Sequence, residues 1–301
     1  MTKRTYAIVG ATGQIGHVVS EELLKRGHVV RAIGRNKEKL SALEFKGAEA
    51  HAVLLDNAQA LAKVFQGASG VFIMIPPAYD ADDFGAYQDR VGETIASTIT
   101  QAKVTHVVDL SSIGAHLAEG TGPIKGLYRQ EKRLNAIPGL NVLHLRPAYF
   151  MENQLWSIPT IKQHGVNGSP LRGDLPIPMI ATYDIGKKAA ELLDRLDFRG
   201  VSVVEFAGPK QVTLNEATAI LGRAIGKPDL TYVQFSYADA EKAMLGMGMK
   251  PSIVSLMIEM NRSFNEGRVM PEEKPVRGTT AFETFAETFA KAYRSGEPAR
   301  V

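Results

Sequence analysis

The chain has 301 residues, of which 45% are hydrophobic and 22% charged, values typical of a globular protein with a sizeable core. The net charge of +3 is too small to favour nucleic acid or an anionic membrane surface as a partner, and the absence of cysteine excludes disulfides, thiolate metal ligands and a cysteine nucleophile. No secretory signal is recognisable, and the longest apolar run, residues 71–78, contains two prolines. We therefore expect a cytoplasmic protein.

The first segment combines a short apolar strand, a glycine-rich turn and an amphipathic helix. Residues 6–9 are predicted to form a buried strand, and a helical period of apolar residues begins at residue 15. Three glycines in the turn allow a sharp bend, the approach of a pyrophosphate to backbone N–H groups, and close packing of the helix. The pattern predicts dinucleotide binding, with an ordinary glycine-rich turn as the alternative. The predicted contacts are Gly10, Thr12, Gly13, Gln14, Ile15 and Gly16.

Strands and helices alternate through the first half of the chain. Further strands are predicted at residues 28–34, 50–55, 70–75, 105–110 and 141–146. Helices are predicted between them at residues 36–45, 58–65, 82–102 and 124–136. This alternation is typical of a doubly wound parallel sheet, so the fold class is α/β, of the Rossmann type.

The pattern changes after Pro147. Residues 153–186 contain four prolines, which predicts a loop-rich region, with a short helix at about 150–163. Further elements are predicted as a helix at 184–196, a seventh sheet strand at 201–206, and helices at 213–222, 236–245, 251–266 and 279–294. The helix at 213 begins with a capping-box pattern. We predict a nucleotide-binding domain over residues 1–150, completed by about 182–206, and a smaller helix-rich substrate lobe formed by residues 151–181 and 207–301.

The end of the second predicted strand indicates which dinucleotide is bound. Proteins that bind NAD usually have an acidic residue here for the ribose 2′-OH, but no Asp or Glu stands between residues 22 and 38. Arg35 stands there instead, and a guanidinium can bind the 2′-phosphate of NADP, with Lys39 as a second cation. NADP(H) is therefore the predicted cofactor, although a solvated arginine is the alternative. Asp56 and Asn57 are predicted to contact the adenine, or else to cap the next helix.

Four stretches occur together in this sequence: the glycine turn at 10–16, Arg35, Asp-Leu-Ser-Ser-Ile-Gly at 109–114, and Leu-Arg-Pro-Ala-Tyr-Phe-Met-Glu-Asn at 145–153. In combination they resemble the NmrA-like family of atypical short-chain dehydrogenases/reductases, over about residues 5–225. That family includes NADPH-dependent quinone and dye reductases, and also regulators that bind NADP(H) without turnover. The resemblance implies the fold and the cofactor, and it leaves catalysis open.

The nicotinamide ring is expected beyond the carboxyl ends of the fourth and fifth strands. Ile75 is the last residue of the fourth predicted strand and Pro76 follows it, while Ser111 and Ser112 follow the fifth strand. We expect Ile75, Pro76 and Ser111 to contact the cofactor. Ser112 is the candidate for a catalytic role.

A carbonyl reductase usually also has a proton donor, typically a tyrosine whose pKa is lowered by a nearby lysine. Tyr128 and Lys132 provide this pair at positions i and i+4 of the helix that follows the fifth strand, as in the Tyr-x-x-x-Lys pair of catalytic short-chain dehydrogenases. Alternatively, Tyr128 lines the nicotinamide pocket or the contact between helix and sheet. Quinones and triarylmethane dyes accept hydride without a strong acid on the protein.

Three aromatic residues are predicted to contact the substrate: Tyr79, Phe150 and Trp156. The seven histidines show no metal-binding spacing, so no metal is expected. We predict an NADP(H)-dependent oxidoreductase that passes hydride to a small, conjugated carbonyl such as a quinone, and possible homodimers. Two alternatives are a non-catalytic redox sensor that acts through a protein partner, and sugar-nucleotide epimerase or dehydratase chemistry, which needs a retained NAD that Arg35 disfavours.

Overall fold

A computed structural model describes residues 2–295, and all elements below lie in that range. The strands are β1 (Thr5–Val9), β2 (Val29–Gly34), β3 (Glu49–Ala52), β4 (Gly70–Ile73), β5 (His106–Leu110), β6 (Asn141–Pro147), β7 (Tyr149–Phe150), β8 (Val166–Ser169), β9 (Pro176–Ile180), β10 (Val201–Ala207), β11 (Gln211–Thr213), β12 (Thr231–Gln234) and β13 (Val276–Arg277). The helices are α1 (Gln14–Lys25), α2 (Lys37–Phe45), α3 (Ala58–Phe65), α4 (Phe84–Gln101), α5 (Ile124–Asn135), α6 (Ile158–His164), α7 (Thr182–Arg195), α8 (Leu214–Ala224), α9 (Tyr237–Gly246), α10 (Pro251–Asn265) and α11 (Phe282–Ser295). A 3-10 helix, Met151–Ser157, precedes α6.

The main sheet has eight parallel strands in the order β13-β10-β6-β5-β4-β1-β2-β3. β1 is central, and Ile8 pairs with Ala32 of β2 on one side and with Phe72 of β4 on the other. The chain therefore leaves β1 towards β2 and later returns to build β4 on the opposite side. In such sheets, ligands bind in the crevice outside the carboxyl ends of the two strands where the order reverses. The predicted α/β fold is confirmed, including the return of β10 to the sheet.

Alternating side chains of β1 supply two separate cores, one on each face of the sheet. Tyr6 and Ile8 are buried against α1, α2 and α7, whereas Ala7 and Val9 are buried against α3, α4 and α5. Strands that are covered on both faces contain almost continuous apolar sequence. This is the physical reason why residues 70–73 are recognisable as a strand.

Short strands outside this pattern were not predicted. β7, β9 and β11 form a small sheet, and β8 pairs with β12 in a second one. β9 contains Pro176 and Pro178, which lack the N–H that a sheet ladder uses, so its sequence does not indicate a strand. β3 ends at Ala52 and not at residue 55 as predicted. The predicted capping box is present, because Thr213 and Glu216 bond each other's backbone N–H groups at the start of α8.

None of the helices in residues 2–295 has both the length and the hydropathy that a membrane crossing requires. The predicted boundaries of the two domains stay predictions. The segment after β6 contributes α6 and β8, while the segment after β10 contributes α8, α9, α10 and α11. α11 packs against α8 and against the 3-10 helix, so the two parts of the predicted lobe are in contact.

Candidate active site and cofactor cleft

The glycine turn between β1 and α1 has the geometry of a phosphate site. Gly10 has φ of +69°, and its carbonyl accepts a hydrogen bond from the Gly13 N–H at 2.9 Å. A Cβ on Gly16 would lie 2.3 Å from the Gly10 oxygen, so only glycine allows α1 to pack this close. Gly13 is the exposed N-cap residue of α1 and has no side chain to occupy the first N–H groups. These features fit a dinucleotide pyrophosphate.

The end of β2 approaches the same turn. A Cβ on Gly34 would lie 3.0 Å from the Thr12 methyl group, so Thr12 packs directly against the end of this strand. Arg35 follows and is exposed, as is Lys39 in the first turn of α2. Asn36 caps α2 by accepting hydrogen bonds from two backbone N–H groups. The predicted cation for a 2′-phosphate thus stands beside the glycine turn, fixed by a capped helix.

The two residues predicted near the adenine have different surroundings. The Asn57 side chain accepts a hydrogen bond from the Ala60 N–H at 3.0 Å and so caps α3, which was the alternative considered from the sequence. Asp56 is exposed. Adenine contact by either residue stays a prediction.

A cleft of about 370 Å³ connects Arg35 with the C-terminal part of the chain. It is lined by Arg35, Pro77, Ala78, Tyr79, Asp80, Trp156, Met247, Gly248 and Met249. The rings of Tyr79 and Trp156 meet edge to face, with centroids 6.2 Å apart, and Trp156 is 44% exposed. Burial raises the pKa of Tyr79, so its phenol is neutral at pH 7. The structure therefore brings together three predicted site residues, Arg35, Tyr79 and Trp156.

The loop that follows β4 is fastened to the C-terminal helices. The Lys250 N–H donates to the Tyr79 carbonyl at 3.1 Å, and the Lys250 ammonium lies 2.8 Å from Asp82. The Ser252 hydroxyl donates to the Ala81 carbonyl at 3.1 Å. These bonds hold Met247 and Met249 over the cleft beside Tyr79. The sequence shows that this segment contains methionines, but only the fold shows that they line the cleft.

Ser111 is buried, and its hydroxyl donates to Glu131 of α5 at 2.5 Å. Arg146 of β6 binds both oxygens of the same carboxylate, at 2.9 and 2.7 Å. Burial acts to lower the pKa of Arg146, but its bonds to Glu131 and Glu272 raise it above the ordinary value. The structural role of Glu131 was not predicted, because the sequence does not show which strand this face of its helix contacts.

Ile75, Pro76 and Ser112 are half-buried and follow β4 and β5, as expected. They do not belong to the residues that line the cleft in the described chain. Phe150 lies on β7, where it is paired with Ile180 and packs against the larger core. Contacts of these four residues with cofactor or substrate stay predictions.

Tyr128 and Lys132 line a second cavity, of about 160 Å³, and not the cleft. Its other lining residues are Ala115, His116, Glu131, Asn135, His144, Arg146 and Val203. The Lys132 ammonium lies 5.3 Å from the centre of the Tyr128 ring, a cation–π contact. The pair thus shares one helix face, as predicted, but neither residue lines the cleft with Tyr79 and Trp156. The role of Tyr128 as a proton donor stays a prediction.

Residues 145–153, which carry the family resemblance, also connect β6 to α5 and to α7. Arg146 holds Glu131, and Glu152 is a buried acceptor for the N–H and hydroxyl of Thr182 at the start of α7. The Thr182 hydroxyl also lies 3.1 Å from the Gln14 side-chain oxygen. Burial raises the pKa of Glu152, opposed by the Thr182 bonds. Glu152 therefore positions the first residue of α1 through Thr182.

Comparisons with known proteins agree with this geometry. A family model described as the NmrA-like family matches residues 2–289. An NAD(P)H azoreductase of Xenophilus azovorans is 27% identical over 95% of this chain and 96% of its own. Quinone oxidoreductase 2 of Escherichia coli is 25% identical over 89% of this chain and 91% of its own.

Solved structures give the same fold. The crystal structure of the NADPH-dependent quinone oxidoreductase of Escherichia coli, complexed with NADPH, has a TM-score of 0.79 and 25% identity, covering 94% of this chain and 99% of its own. The negative transcriptional regulator NmrA in complex with NAD has a TM-score of 0.73 at 17% identity, covering 98% of each chain. At that identity the regulator shows the fold alone. The resemblance predicted from the sequence is confirmed.

Replacing Gly16 with alanine should abolish the dinucleotide site. The added Cβ would overlap the Gly10 carbonyl, a backbone group that cannot move without opening the turn. We expect NADPH affinity, measured by titration of NADPH fluorescence, to fall at least tenfold, a change of about 1.4 kcal/mol or more. Gly85→Ala is the matched control, because its Cβ would meet only ordinary contacts at 3.5 Å or more. Equal affinities of both variants would contradict the assignment.

Replacing Glu152 with glutamine should weaken cofactor binding indirectly. The amide offers one oxygen where the carboxylate offers two to the Thr182 N–H and hydroxyl, so Thr182 and Gln14 lose a fixed orientation. We expect NADPH affinity to fall about fivefold, or roughly 1 kcal/mol. The control is Glu191→Gln in α7, the helix that begins with Thr182, because this half-buried carboxylate pairs only with Lys188 and Arg195 in the described chain. A loss of the same size in the control would remove Glu152 from the positioning role.

Proposed function

Because the chain belongs to the NmrA-like family, we propose that it is an NADP(H)-dependent oxidoreductase that transfers hydride to a small conjugated carbonyl such as a quinone. One observation carries this proposal: Arg35 and the aromatic pair of Tyr79 and Trp156 line the same cleft. The cleft thus joins a cation suited to a 2′-phosphate with aromatic surfaces suited to a flat acceptor. The named relatives that cover nearly the whole chain are a quinone oxidoreductase and an azoreductase, both of which reduce conjugated acceptors.

When bound, the reduced cofactor supplies a hydride from its nicotinamide ring. The residues of this chain bind and orient the cofactor and the acceptor. The glycine turn at 10–16 offers N–H groups to the pyrophosphate, and Arg35 offers a guanidinium to the 2′-phosphate. Tyr79 and Trp156 present ring faces and edges to the acceptor, while Met247 and Met249 add apolar surface on one side.

The chemistry of the acceptor determines whether the protein has to provide an acid group. A quinone that receives hydride becomes a stabilised phenolate, which takes its proton from solvent without a strong acid beside it. The Tyr79 phenol lines the cleft and can donate a hydrogen bond to the acceptor oxygen, while burial raises its pKa and makes it a weak acid. A reductase of this kind depends on positioning and exclusion of water more than on acid catalysis.

Steady-state NADPH oxidation by the purified protein decides the function. The acceptors are a panel of benzoquinones, naphthoquinones, triarylmethane dyes and azo dyes, and NADPH loss is followed by absorbance. We expect turnover with at least one quinone. If NADPH binds while no acceptor is reduced, the reductase proposal fails and the redox-sensor alternative is favoured.

Replacing Arg35 with aspartate should transfer cofactor preference from NADPH to NADH. A charge-assisted bond contributes about 1.5–3 kcal/mol, so the ratio of kcat/KM values should move ten- to a hundredfold or more towards NADH. The control is Arg195→Asp, the same charge change at the exposed carboxyl end of α7. If the ratio does not change in Arg35→Asp, Arg35 is not a cofactor ligand.

Tyr128→Phe separates the two possible roles of this tyrosine. Because Tyr128 lines the second cavity, we expect the variant to keep at least half of kcat/KM for a quinone. The matched comparison is Tyr79→Phe, in the cleft, which should lose more. A hundredfold loss in Tyr128→Phe with an unchanged Tyr79→Phe would instead assign the proton donor to Tyr128.

We also propose an aromatic or quinone-like substrate, a cytoplasmic location and no nucleic-acid partner. A homodimer stays a prediction. Size-exclusion chromatography with light scattering measures the mass in solution, for which the monomer is 32.7 kDa.

A further inference from the structure

Three side chains of metal-ligand type meet at the edge of the second cavity. His116 comes from the loop after β5, Glu205 from β10, and Glu272 from the segment before β13. One ligand atom of each lies within 4.8 Å of those of the other two. His116 Nδ1 and Glu272 Oε2 lie 3.4 Å apart. The three positions are far apart in the sequence, which is why spacing alone gives no metal motif.

Glu205 is the unusual member, because it is only 8% exposed. Its Oε2 accepts a hydrogen bond from the Glu273 N–H at 3.0 Å. Its Oε1 is buried and has no hydrogen-bond partner among residues 2–295. A buried carboxylate oxygen without a donor is costly, and such groups normally bind a proton donor or a cation. Because Glu205 is a member of the cluster, its orphaned oxygen indicates a positively charged ligand.

Hydrogen bonds from residues outside the cluster orient both carboxylates. Glu272 Oε2 accepts from Arg146 Nη1 at 2.7 Å, and Arg146 is itself fixed by Glu131. The Glu273 N–H holds Glu205 in the same way. Carboxylates that ligate metals are commonly oriented by such outer hydrogen bonds. His116 also borders the second cavity, whose volume of about 160 Å³ exceeds that of several waters.

We propose that His116, Glu205 and Glu272 bind one divalent transition-metal ion, with Zn²⁺ as the best match. Zn²⁺ takes imidazole nitrogen and carboxylate oxygen at about 2.0–2.2 Å, so neighbouring ligand atoms of a tetrahedral site lie roughly 3.4 Å apart. The His116–Glu272 distance of 3.4 Å already has this value. Mg²⁺ and Ca²⁺ prefer sites built entirely from oxygen, which the imidazole disfavours. Water completes the fourth position from the cavity.

The ion would join three segments that are far apart in the sequence. It connects β10 and the loop after β5 to the segment that leads into β13, a strand of only two residues at the sheet edge. No described residue lines both this cavity and the cleft. The ion is therefore a structural clamp for the sheet edge, and NADPH binding does not depend on it.

The test uses the full chain without an affinity tag, dialysed against a chelator and then against metal-free buffer. Zn²⁺ binding is measured by isothermal titration, and Co²⁺ binding by the visible absorption that reports coordination geometry. We expect one ion per chain and a higher Tm with Zn²⁺ than without it. Both Glu205→Gln and His116→Ala should weaken Zn²⁺ binding at least tenfold and reduce the shift in Tm, while the NADPH affinity of each stays unchanged.

His51→Ala is the matched control, because His51 lies 3.9 Å from Glu49 without a third ligand in the described chain. It should bind Zn²⁺ like the unaltered protein. Glu205→Gln removes an unpaired buried charge, so it should fold, and His116→Ala provides an independent variant. Absence of stoichiometric Zn²⁺ binding, equal affinity in all variants, or tighter binding of Mg²⁺ than of Zn²⁺ would each overturn the proposal.

Discussion

Backbone contact between α1 and the turn that precedes it determines the geometry of the dinucleotide site. The helix can approach only because Gly16 has no Cβ, which would otherwise lie 2.3 Å from the Gly10 oxygen. This contact directs the N-terminus of α1 towards the crevice at the carboxyl ends of β1 and β4, where the strand order reverses. The exposed N-cap residue, Gly13, leaves that N-terminus open to an anion. Cofactor binding is thus a consequence of how β1 and α1 pack.

Buried carboxylates then connect the later segments to this core. Glu131 joins α5 to β6 through Arg146, and Glu152 joins the end of β6 to α7 through Thr182. Asp184 accepts hydrogen bonds from the backbone just after β13. A buried ion pair adds little net stability, because desolvation offsets the attraction, but a misplaced partner would leave a charge unpaired. These contacts therefore favour one arrangement of the lobe over others.

A sequence predicts the elements that have a repeating residue pattern and the turns whose backbone conformation requires a particular residue. Residues 70–73 form a continuous apolar run in a sheet covered on both faces, and the glycine turn admits few alternatives, so both were predictable. β9 was not, because pairing with two other strands and not its own pattern makes it extended. The spacing of Tyr128 and Lys132 correctly gives a shared helix face. It does not say what that face meets, which depends on where β10 is added to the sheet.

Three side chains of α5 face different parts of the structure. Gln130 of this helix faces α4, Glu131 faces the sheet, and Tyr128 faces the second cavity. The cleft is instead lined by Arg35, by the loop after β4 and by residues from the C-terminal half. Two aromatic side chains and two methionines are among its nine lining residues, which suits the flat acceptor that we propose. We therefore propose that substrate choice depends on Trp156 and the two methionines that line this cleft.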